Sequence, residues 1–493
     1  MSNKNIIVIG AGIAGLSAGI YARKAGFDVT IYESHIIPGG LSTSWSRKGY
    51  LFEGGMHWLT GSSSKMPLNK VWKELRALQE NNPIIVKDPF YTVINGGKRL
   101  HLYRDVNQLE KHFIEHAPED KTAIKKLCKD IRIFQPVHMV VSDIAGLKTT
   151  NPVKQNLKEL LKMVPAIFRF TALAGMSLKK YISKFRNTDI KALLNSIIGE
   201  RYNAISLIYT LASFSTGDCG FPEGGSVRMA QNMADYFEEL GGKIIYRTKI
   251  DKVEIENNRV KGITCGQTFI PADSVIVTQD TRQAVETLFR VPLKERWINH
   301  LKKNTIGEQN MFICLGIKGN LSDLPKGIVY PLKTPFEFAG LSFSELRINN
   351  YSEYKNHSPE GCTTITSLLI GNSYDFWKTA KEDGTYKQKK QELLEKFIAE
   401  LENFIPQIKG NIEVTDVATP LTYERYCHTF KGSWMSVWQA GGKFSNYPSK
   451  SKTVKGLYFA SQRSAMPGGL PIAVDAGRRA AQYLCRDNNI RFN

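Results

Sequence analysis

The chain has 493 residues, with 66 Lys and Arg against 46 Asp and Glu, and therefore a formal net charge of +20. Its 42% hydrophobic and 23% charged residues are typical of a folded protein and exclude a disordered chain, a collagen-like repeat and a disulfide-rich miniature. The seven scattered cysteines, never in CxxC spacing, predict a reduced, intracellular chain. The positive charge favours an acidic partner, and we expect an anionic membrane surface rather than nucleic acid because no zinc-finger, RNA-binding or basic-zipper pattern occurs.

The first part of the chain predicts a strand, a helix and a second strand, at residues 5–9, 16–25 and 29–32. The sequence GAGIAG, from Gly10 to Gly15, joins the first strand to the helix, and an acidic residue follows the second strand. A GxGxxG sequence in this strand–helix–strand context is a specific sign of a dinucleotide-binding site.

Each residue type in this fingerprint has a physical reason. Gly10 permits a tight turn, Gly12 lets the backbone approach a pyrophosphate, and Gly15 lets the helix pack closely on the strand. The free amides at the helix N-terminus attract phosphate, and Glu33 can accept hydrogen bonds from a ribose diol. We therefore predict that a nucleotide cofactor contacts the following residues: Gly10, Gly12, Ile13, Ala14, Gly15, Glu33 and Ser34.

A second glycine pair, Gly39 and Gly40, follows soon after Glu33 and lets the backbone pass beside a further part of an extended cofactor. FAD is long enough to need that contact, so the pattern predicts FAD rather than NAD. No second GxGxxG occurs, so NAD(P)H is not expected to have a domain of its own. Electrons would then pass to or from a separate donor or acceptor.

Four blocks of sequence resemble the phytoene desaturase superfamily of FAD-dependent oxidoreductases, in that superfamily's order. The first, GGLSTSWSRKGYLFEGGMHWLTG at 39–61, is most similar to the carotenoid isomerase and retinol saturase branch, where an acidic-x-Gly-x-His pattern recurs. The second is FPEGG at 221–225, and the third is the hairpin and ADSVIVTQD sequence within 253–280. The fourth comprises GLYFA, PGGLP and DAG between 456 and 477.

The resemblance implies an α/β fold with a Rossmann-like FAD-binding domain of the amine-oxidase type, discontinuous in sequence, and an inserted α+β substrate domain. Residues 1–100, 220–290 and 440–493 would form the FAD-binding domain. Residues 101–219 and 291–439 would form the substrate-binding domain.

The resemblance also implies flavin contacts beyond the fingerprint: Gly39, Gly40, Leu41, Ser42, Gly55, Met56, Val253, Ser461, Gln462, Pro471 and Ile472. Many relatives carry Arg at the position of Leu41, and Gly-Asp at the positions of Ser461 and Gln462. The contacts to the ribityl chain are therefore expected to differ in detail, because Gln462 offers hydrogen bonds without a charge.

The resemblance places His57 beside the flavin ring, where it is either a catalytic acid or base or a pocket residue fixed by hydrogen bonds. Trp434 and Trp438, four residues apart, are expected either to line an apolar substrate tunnel or to lie in the core. Tyr426 is placed at the same interface by the resemblance alone. The histidines show no metal-ligand spacing, so no metal site is predicted.

Residues 153–186 carry eight Lys or Arg and one acidic residue, and Pro165 interrupts the run. Four apolar residues share one predicted helical face: Leu157, Leu161, Val164 and Phe168. This pattern predicts helices that dock on an anionic membrane, as in a cytoplasmic protein bound to the inner face of the membrane. The alternative is an amphipathic helix packed on its own domain with a solvated basic face. No apolar run is long enough to predict a membrane span.

By resemblance, the expected activity is hydride transfer between FAD and a C=C or C–C bond of a hydrophobic polyene, isoprenoid or related lipid, as a saturase or desaturase. A redox-neutral polyene cis–trans isomerase that uses reduced FAD is the first alternative. A flavin amine oxidase and a non-catalytic lipid or prenyl carrier on the same fold are further alternatives, although a carrier has no need of the intact fingerprint.

Overall fold

Two large sheets with their helices organise the computed structural model, which describes residues 4–153, 157–442 and 445–493. The strands are β1 (Asn5–Ile9), β2 (Asp28–Tyr32), β3 (Ser44–Arg47), β4 (Tyr50–Glu53), β5 (Ile84–Ile85), β6 (Thr92–Asn95), β7 (Lys98–His101), β8 (Phe221–Pro222), β9 (Lys243–Ile245), β10 (Lys252–Glu256), β11 (Arg259–Cys265), β12 (Thr268–Pro271), β13 (Ser274–Val277), β14 (Ile306–Glu308), β15 (Asn310–Lys318), β16 (Gly327–Phe338), β17 (Leu341–Asn350), β18 (Cys362–Ile370), β19 (Ile412–Ala418), β20 (Met435–Val437) and β21 (Leu457–Phe459).

The helices are α1 (Ile13–Lys24), α2 (Pro67–Glu74), α3 (Val106–His116), α4 (Lys121–Phe134), α5 (Leu157–Lys162), α6 (Val164–Ala174), α7 (Leu178–Ile182), α8 (Thr188–Ile198), α9 (Ala204–Ser215), α10 (Gly225–Glu239), α11 (Thr281–Thr287), α12 (Arg296–Asn304), α13 (Tyr374–Glu382), α14 (Tyr386–Phe404), α15 (Pro420–Cys427) and α16 (Leu470–Asp487).

The first sheet is parallel and has the strand order β21-β13-β1-β2-β9. Residues 6–9 of β1 are all buried, as expected for a central parallel strand covered on both faces. Helix α16 packs against α1, and a Cβ on Gly477 would lie 2.3 Å from the Ala14 carbonyl oxygen, so only glycine permits this close approach. The parallel sheet with its helices confirms the predicted α/β fold with a Rossmann-like domain.

The second sheet is mixed and has the strand order β19-β15-β18-β17-β16-β6-β7. Its strand pairs are antiparallel except β16 with β6, which run parallel. Helix α8 packs on β6, β16 and β17, and α4 and α9 pack on each other beside it. Because β6 joins this sheet at Thr92, the chain enters the second part of the molecule before the limit at residue 100 that the sequence predicts.

The basic amphipathic segment forms three short helices, α5, α6 and α7. Pro165 is the second residue of α6, where the missing N–H costs no helical hydrogen bond, so the break falls at Met163. Lys154, counted in the predicted basic face, lies outside the described residues. None of the helices within the described ranges is both long and apolar enough to cross a membrane.

Candidate cofactor and substrate site

The glycines of the N-terminal turn differ in what surrounds them. A Cβ on Gly15 would lie 1.9 Å from the Gly10 carbonyl oxygen, so Gly15 is required by helix–strand packing. A Cβ on Gly12 would meet no atom of the protein closer than 3.7 Å. Packing within the protein therefore does not require glycine at Gly12, whereas a ligand lying against the turn would. Helix α1 begins immediately after Gly12 and has no side-chain cap, which leaves its first amides for an anion.

Glu33 follows β2 and is 6% exposed. Its Oε2 accepts a hydrogen bond from the Ala11 amide at 2.7 Å, and its Oε1 accepts one from the His35 amide at 2.8 Å. These bonds fix the carboxylate at the mouth of the turn, and its remaining lone pairs can accept from ribose hydroxyls. From the opposite side, His428 places Nε2 3.2 Å from the Ser34 hydroxyl. Burial lowers the pKa of His428, and nearby Lys249 lowers it further, so it is neutral at pH 7.

An open cleft runs from this turn to α15 and the start of β20. Most of the predicted cofactor residues line it: Gly10, Gly12, Ile13, Ala14, Glu33, Ser34, Gly39, Gly40, Leu41, Ser42, Gly55, Ser461 and Gln462. Residues that sequence reasoning does not single out join them, among them Thr248, Thr278, Asp280 and His428.

Five predicted cofactor residues lie apart from the described lining of the cleft. Gly15 faces the strand, while Met56 and Val253 are 2% exposed and lie in separate hydrophobic cores. Pro471 and Ile472 occupy the first turn of α16, between Leu470 and Ala473, which do line the cleft. Direct contact of these five residues with the cofactor stays a prediction.

Glu53 explains the acidic-x-Gly-x-His pattern. It is fully buried and accepts hydrogen bonds from the Gly55 and Met56 amides at 2.9 and 3.0 Å. It also accepts bonds from the amide and hydroxyl of Ser226, at the start of α10. A Cβ on Gly55 would lie 2.6 Å from the Thr43 amide nitrogen, so the turn allows no side chain there. The carboxylate thus fixes the backbone that carries His57.

The C-terminal segment is tied to β20 by Gln462 and Arg463. The Gln462 amide donates to the Trp434 carbonyl at 2.8 Å and accepts from the Gly469 amide at 3.3 Å. Both ends of the side chain that replaces the family's Asp therefore have protein partners. Arg463 and Asp280 form a buried ion pair, and the Arg463 guanidinium also donates to Ser433 and Ser436. Asp280 caps α11 and lines the cleft, so this network fixes the C-terminal segment that carries Ser461 and Gln462.

Trp434 lines the cleft and contacts His57 edge to face, with ring centroids 6.3 Å apart. The row of ring contacts continues from His57 to Trp58, Phe90 and Phe214. Burial lowers the pKa of His57 well below its usual range, as do the charges of Arg347 and Lys87, so the imidazole is neutral at pH 7.

Trp438 and Tyr426 have different surroundings. Residues 435–437 form a strand, in which four residues span roughly 13 Å, so Trp434 and Trp438 are not neighbours on one helical face. Trp438 is buried in the helical core of the second part and contacts Phe170. Tyr426 is exposed, lines the cleft and packs edge to face on His35.

Glu308 is a buried carboxyl behind the cleft wall that no sequence motif indicates. It lies opposite Met435 in the β14–β20 pair, and Met435 lines the cleft. Its Oε2 accepts a hydrogen bond from the Tyr202 hydroxyl at 2.7 Å, while its buried Oε1 has no partner among the described residues. Burial raises the pKa of Glu308 to about 7, so it can hold or release a proton at neutral pH.

A glycine turn, the buried Glu33 beside it and an extended cleft next to a parallel sheet are the features expected of an FAD-dependent oxidoreductase. The chain belongs to the flavin containing amine oxidoreductase family, which it matches over residues 13–485. Its cofactor is accordingly FAD. No group of His, Cys, Asp or Glu suited to a metal ion occurs in the described part of the chain.

Curated relatives agree with the predicted superfamily and branch. A lycopene-forming phytoene desaturase of Paracoccus sp. is 22% identical, with 98% of both chains covered. An all-trans-retinol 13,14-reductase of Danio rerio is 22% identical, covering 92% of this chain and 82% of the relative. A chloroplastic prolycopene isomerase of Daucus carota is 23% identical, covering 95% and 77%.

Solved structures agree with the fold. An oxidoreductase from Methanosarcina mazei gives a TM-score of 0.61 at 17% identity, covering 97% of this chain and 99% of that chain. A putrescine oxidase variant gives a TM-score of 0.64 at 15% identity, covering 98% and 99%.

Proposed function

We propose that this protein transfers hydride between FAD and a carbon–carbon bond of a hydrophobic polyene, isoprenoid or related lipid. The observation that carries the proposal is the row of rings from Trp434 through His57 and Trp58 to Phe90, which starts at the cofactor cleft. Trp434 offers a flat apolar contact to a conjugated chain in the cleft, and the rings of His57, Trp58 and Phe90 pack behind it. Three relatives that align over nearly the whole chain are named for reactions of lycopene precursors, retinol and prolycopene.

FAD supplies the hydride chemistry when it is bound. The task of this chain is to place one bond of the substrate, to exclude water and to move one proton. In the saturase direction, one alkene carbon receives hydride and the other receives a proton, so the product gains two hydrogens. Glu308 has a pKa of about 7 and an oxygen without a partner among the described residues, and it is the proton source we favour. It lies opposite Met435, behind the cleft wall, so its proton would have to cross that wall. His57 is neutral and is a weaker acid.

The test uses the purified holoenzyme, reduced under anaerobic conditions and mixed with a panel of polyenes. Return of oxidised flavin with a product about two mass units heavier supports the saturase. In a second experiment the oxidised holoenzyme is mixed with the same panel, and bleaching of its flavin with a product lighter by the same amount supports the desaturase. Flavin that stays reduced while the polyene changes geometry supports the isomerase instead. If no polyene changes and the flavin spectrum stays constant, the proposal is wrong.

We also propose that helices α5 and α6 dock on an anionic membrane, from which a lipid substrate enters the protein. Several apolar side chains point to solvent on these helices: Leu157, Leu161, Val164, Ile167, Phe168 and Phe170. Phe168 is 82% exposed, whereas Ala166 and Leu173 face the core. Arg169 is not part of a solvated basic face, because it pairs with buried Asp130 of α4 at 2.7 Å. That ion pair orients α6 with its apolar face outward.

A further inference from the structure

We propose that Lys87 and Arg347 form a subsite for a carboxylate at one end of the substrate. The substrate would then be a polyene or isoprenoid acid rather than a neutral hydrocarbon. This inference rests on the proposed function, because it adds a headgroup to the same substrate.

Both cations are buried, and the charge of Arg347 lowers the pKa of buried Glu308. Lys87 is 5% exposed and Arg347 is 6% exposed. Neither forms an ion pair with any carboxylate of the described residues. Lys87 donates only a long hydrogen bond of 3.4 Å to the Asn349 amide oxygen. Arg347 donates to the carbonyls of Ser196 and Ile197 in α8, and its buried Nε has no hydrogen-bond partner in the part of the chain that the structure describes.

The two side chains are brought together around Tyr91. Lys87 Nζ lies 5.7 Å from the centroid of the Tyr91 ring, and Arg347 Cζ lies 5.4 Å from it. Arg347 and Asn349 are two residues apart on β17 and therefore face the same side of the sheet. Asn349 accepts a hydrogen bond from the Tyr91 hydroxyl at 3.2 Å, so Lys87, Tyr91 and Asn349 form one contiguous group.

This group lies directly behind the cleft wall. The Asn349 amide nitrogen is 3.5 Å from Nδ1 of His57, and His57 packs against Trp434, which lines the cleft. For a substrate in the cleft to reach Asn349 and Lys87 at its inner end, the rings of Trp434 and His57 must move aside.

A buried cation without a counter-charge is costly, and a ligand anion would compensate it. A carboxylate matches the donors on offer, which are the Lys87 ammonium, the free Arg347 Nε–H and the Asn349 amide. Burial lowers the pKa of Lys87 to about 7, and the charges of Arg347 and Lys326 contribute. His57 is neutral, so none of these neighbours adds a negative charge beside Lys87. The same arrangement repels an ammonium substrate.

The test compares two ligands that share one polyene, all-trans-retinoic acid and its methyl ester, by titration of the oxidised holoenzyme. We expect the wild type to bind the acid at least about tenfold more tightly than the ester, as one charge-assisted hydrogen bond would give. Lys87→Met should abolish this preference, and Lys87→Arg should keep it. Lys355→Met, at an exposed lysine paired with Glu223, is the matched control and should behave as wild type.

A pH series on the wild type adds a second readout that needs no variant. Affinity for the acid should fall by up to about tenfold per pH unit above pH 7, as Lys87 loses its proton, while affinity for the ester should stay constant. Equal binding of acid and ester, or an undiminished preference in Lys87→Met with full flavin content, would overturn the subsite. If the ester still reoxidises reduced flavin in that case, the proposed function stands. If the acid is preferred but no polyene exchanges electrons, the subsite stands and the hydride function fails.

Discussion

At the residue scale, Gly12 and Gly15 should respond differently to substitution because one faces the cleft and the other faces a strand. We expect Gly12→Asp to fold and to lose FAD, since the new carboxylate has space in the protein but repels the pyrophosphate. Gly15→Ala should instead lower the melting temperature, because its Cβ would clash with the Gly10 carbonyl. Flavin absorbance per chain and thermal unfolding separate the two effects. Gly96→Asp, in an open turn, is the control and should retain FAD. A Gly12→Asp protein with a full complement of flavin would contradict the prediction that FAD lies against this turn.

The low pKa of Lys87 predicts how the free energy of unfolding depends on pH. Its pKa is about 7 in the folded protein and 10.5 in the unfolded chain, so between these values the unfolded chain binds more protons and stability rises with pH. Lys87→Met should therefore raise the free energy of unfolding by about 1–3 kcal/mol below pH 7 without ligand. The gain should shrink as pH rises toward 10. Chemical denaturation at several pH values measures this gain. A variant that is less stable than wild type at pH 6 would show that groups of the protein already compensate the charge of Lys87 without a ligand.

The two interpretations of His57 predict different kinetics. If its ring nitrogens act in catalysis, His57→Phe, which keeps a ring against Trp434, should slow flavin reoxidation by about 100-fold and leave the flavin spectrum unchanged. Rapid mixing of reduced enzyme with polyene measures the rate. An unchanged rate would assign His57 to shaping the pocket.

At the element scale, the apolar face of α5 and α6 predicts membrane binding. Leu161→Gln together with Phe168→Gln should lower binding to vesicles that contain phosphatidylglycerol at least about tenfold, because each side chain would bury its apolar surface in the bilayer. Flotation measures the bound fraction. Phe269→Gln, at an equally apolar exposed position on β12, is the matched control and should bind as wild type. Equal flotation of the wild type, the double variant and the Phe269→Gln control would contradict the docking proposal.

The elements also show where sequence patterns are informative. The run NIIVI, the glycine fingerprint and the GLYFA block predict β1, α1 and β21, since local periodicity and glycine spacing specify them directly. The spacing of Trp434 and Trp438 leaves a tunnel wall and a core position open, and tertiary pairing of β20 with β14 makes the segment extended, with Trp434 at the cleft and Trp438 in the core. Lys87, Arg347 and Glu308 belong to no motif. Their proposed roles rest on their burial and on the partners they lack. Both features arise only when β14, β17 and the segment before β6 come together in the fold.

At the scale of the whole molecule, the nucleotide turn of the parallel sheet lines one side of the cleft, and α15 with the start of β20 lines the other. The mixed sheet contributes Arg347, one of the two buried cations. The family includes amine oxidases among the solved structures that share this fold, such as putrescine oxidase. Lys87 and Arg347 make an amine substrate unfavourable beside them, because a protonated amine would be repelled, and Glu308 is the buried carboxyl on which the charge of Arg347 acts. The choice between a carbon–carbon bond and an amine is therefore the central functional question for this chain.

One rapid-mixing measurement of flavin absorption addresses it directly. Reduced holoenzyme is mixed anaerobically with all-trans-retinoic acid, and oxidised holoenzyme is mixed with putrescine or cyclohexylamine. We predict that the polyene restores the oxidised flavin band and that neither amine bleaches it. Rapid bleaching by an amine, with no response to the polyene, would contradict the proposed function and assign the cleft to amine oxidation.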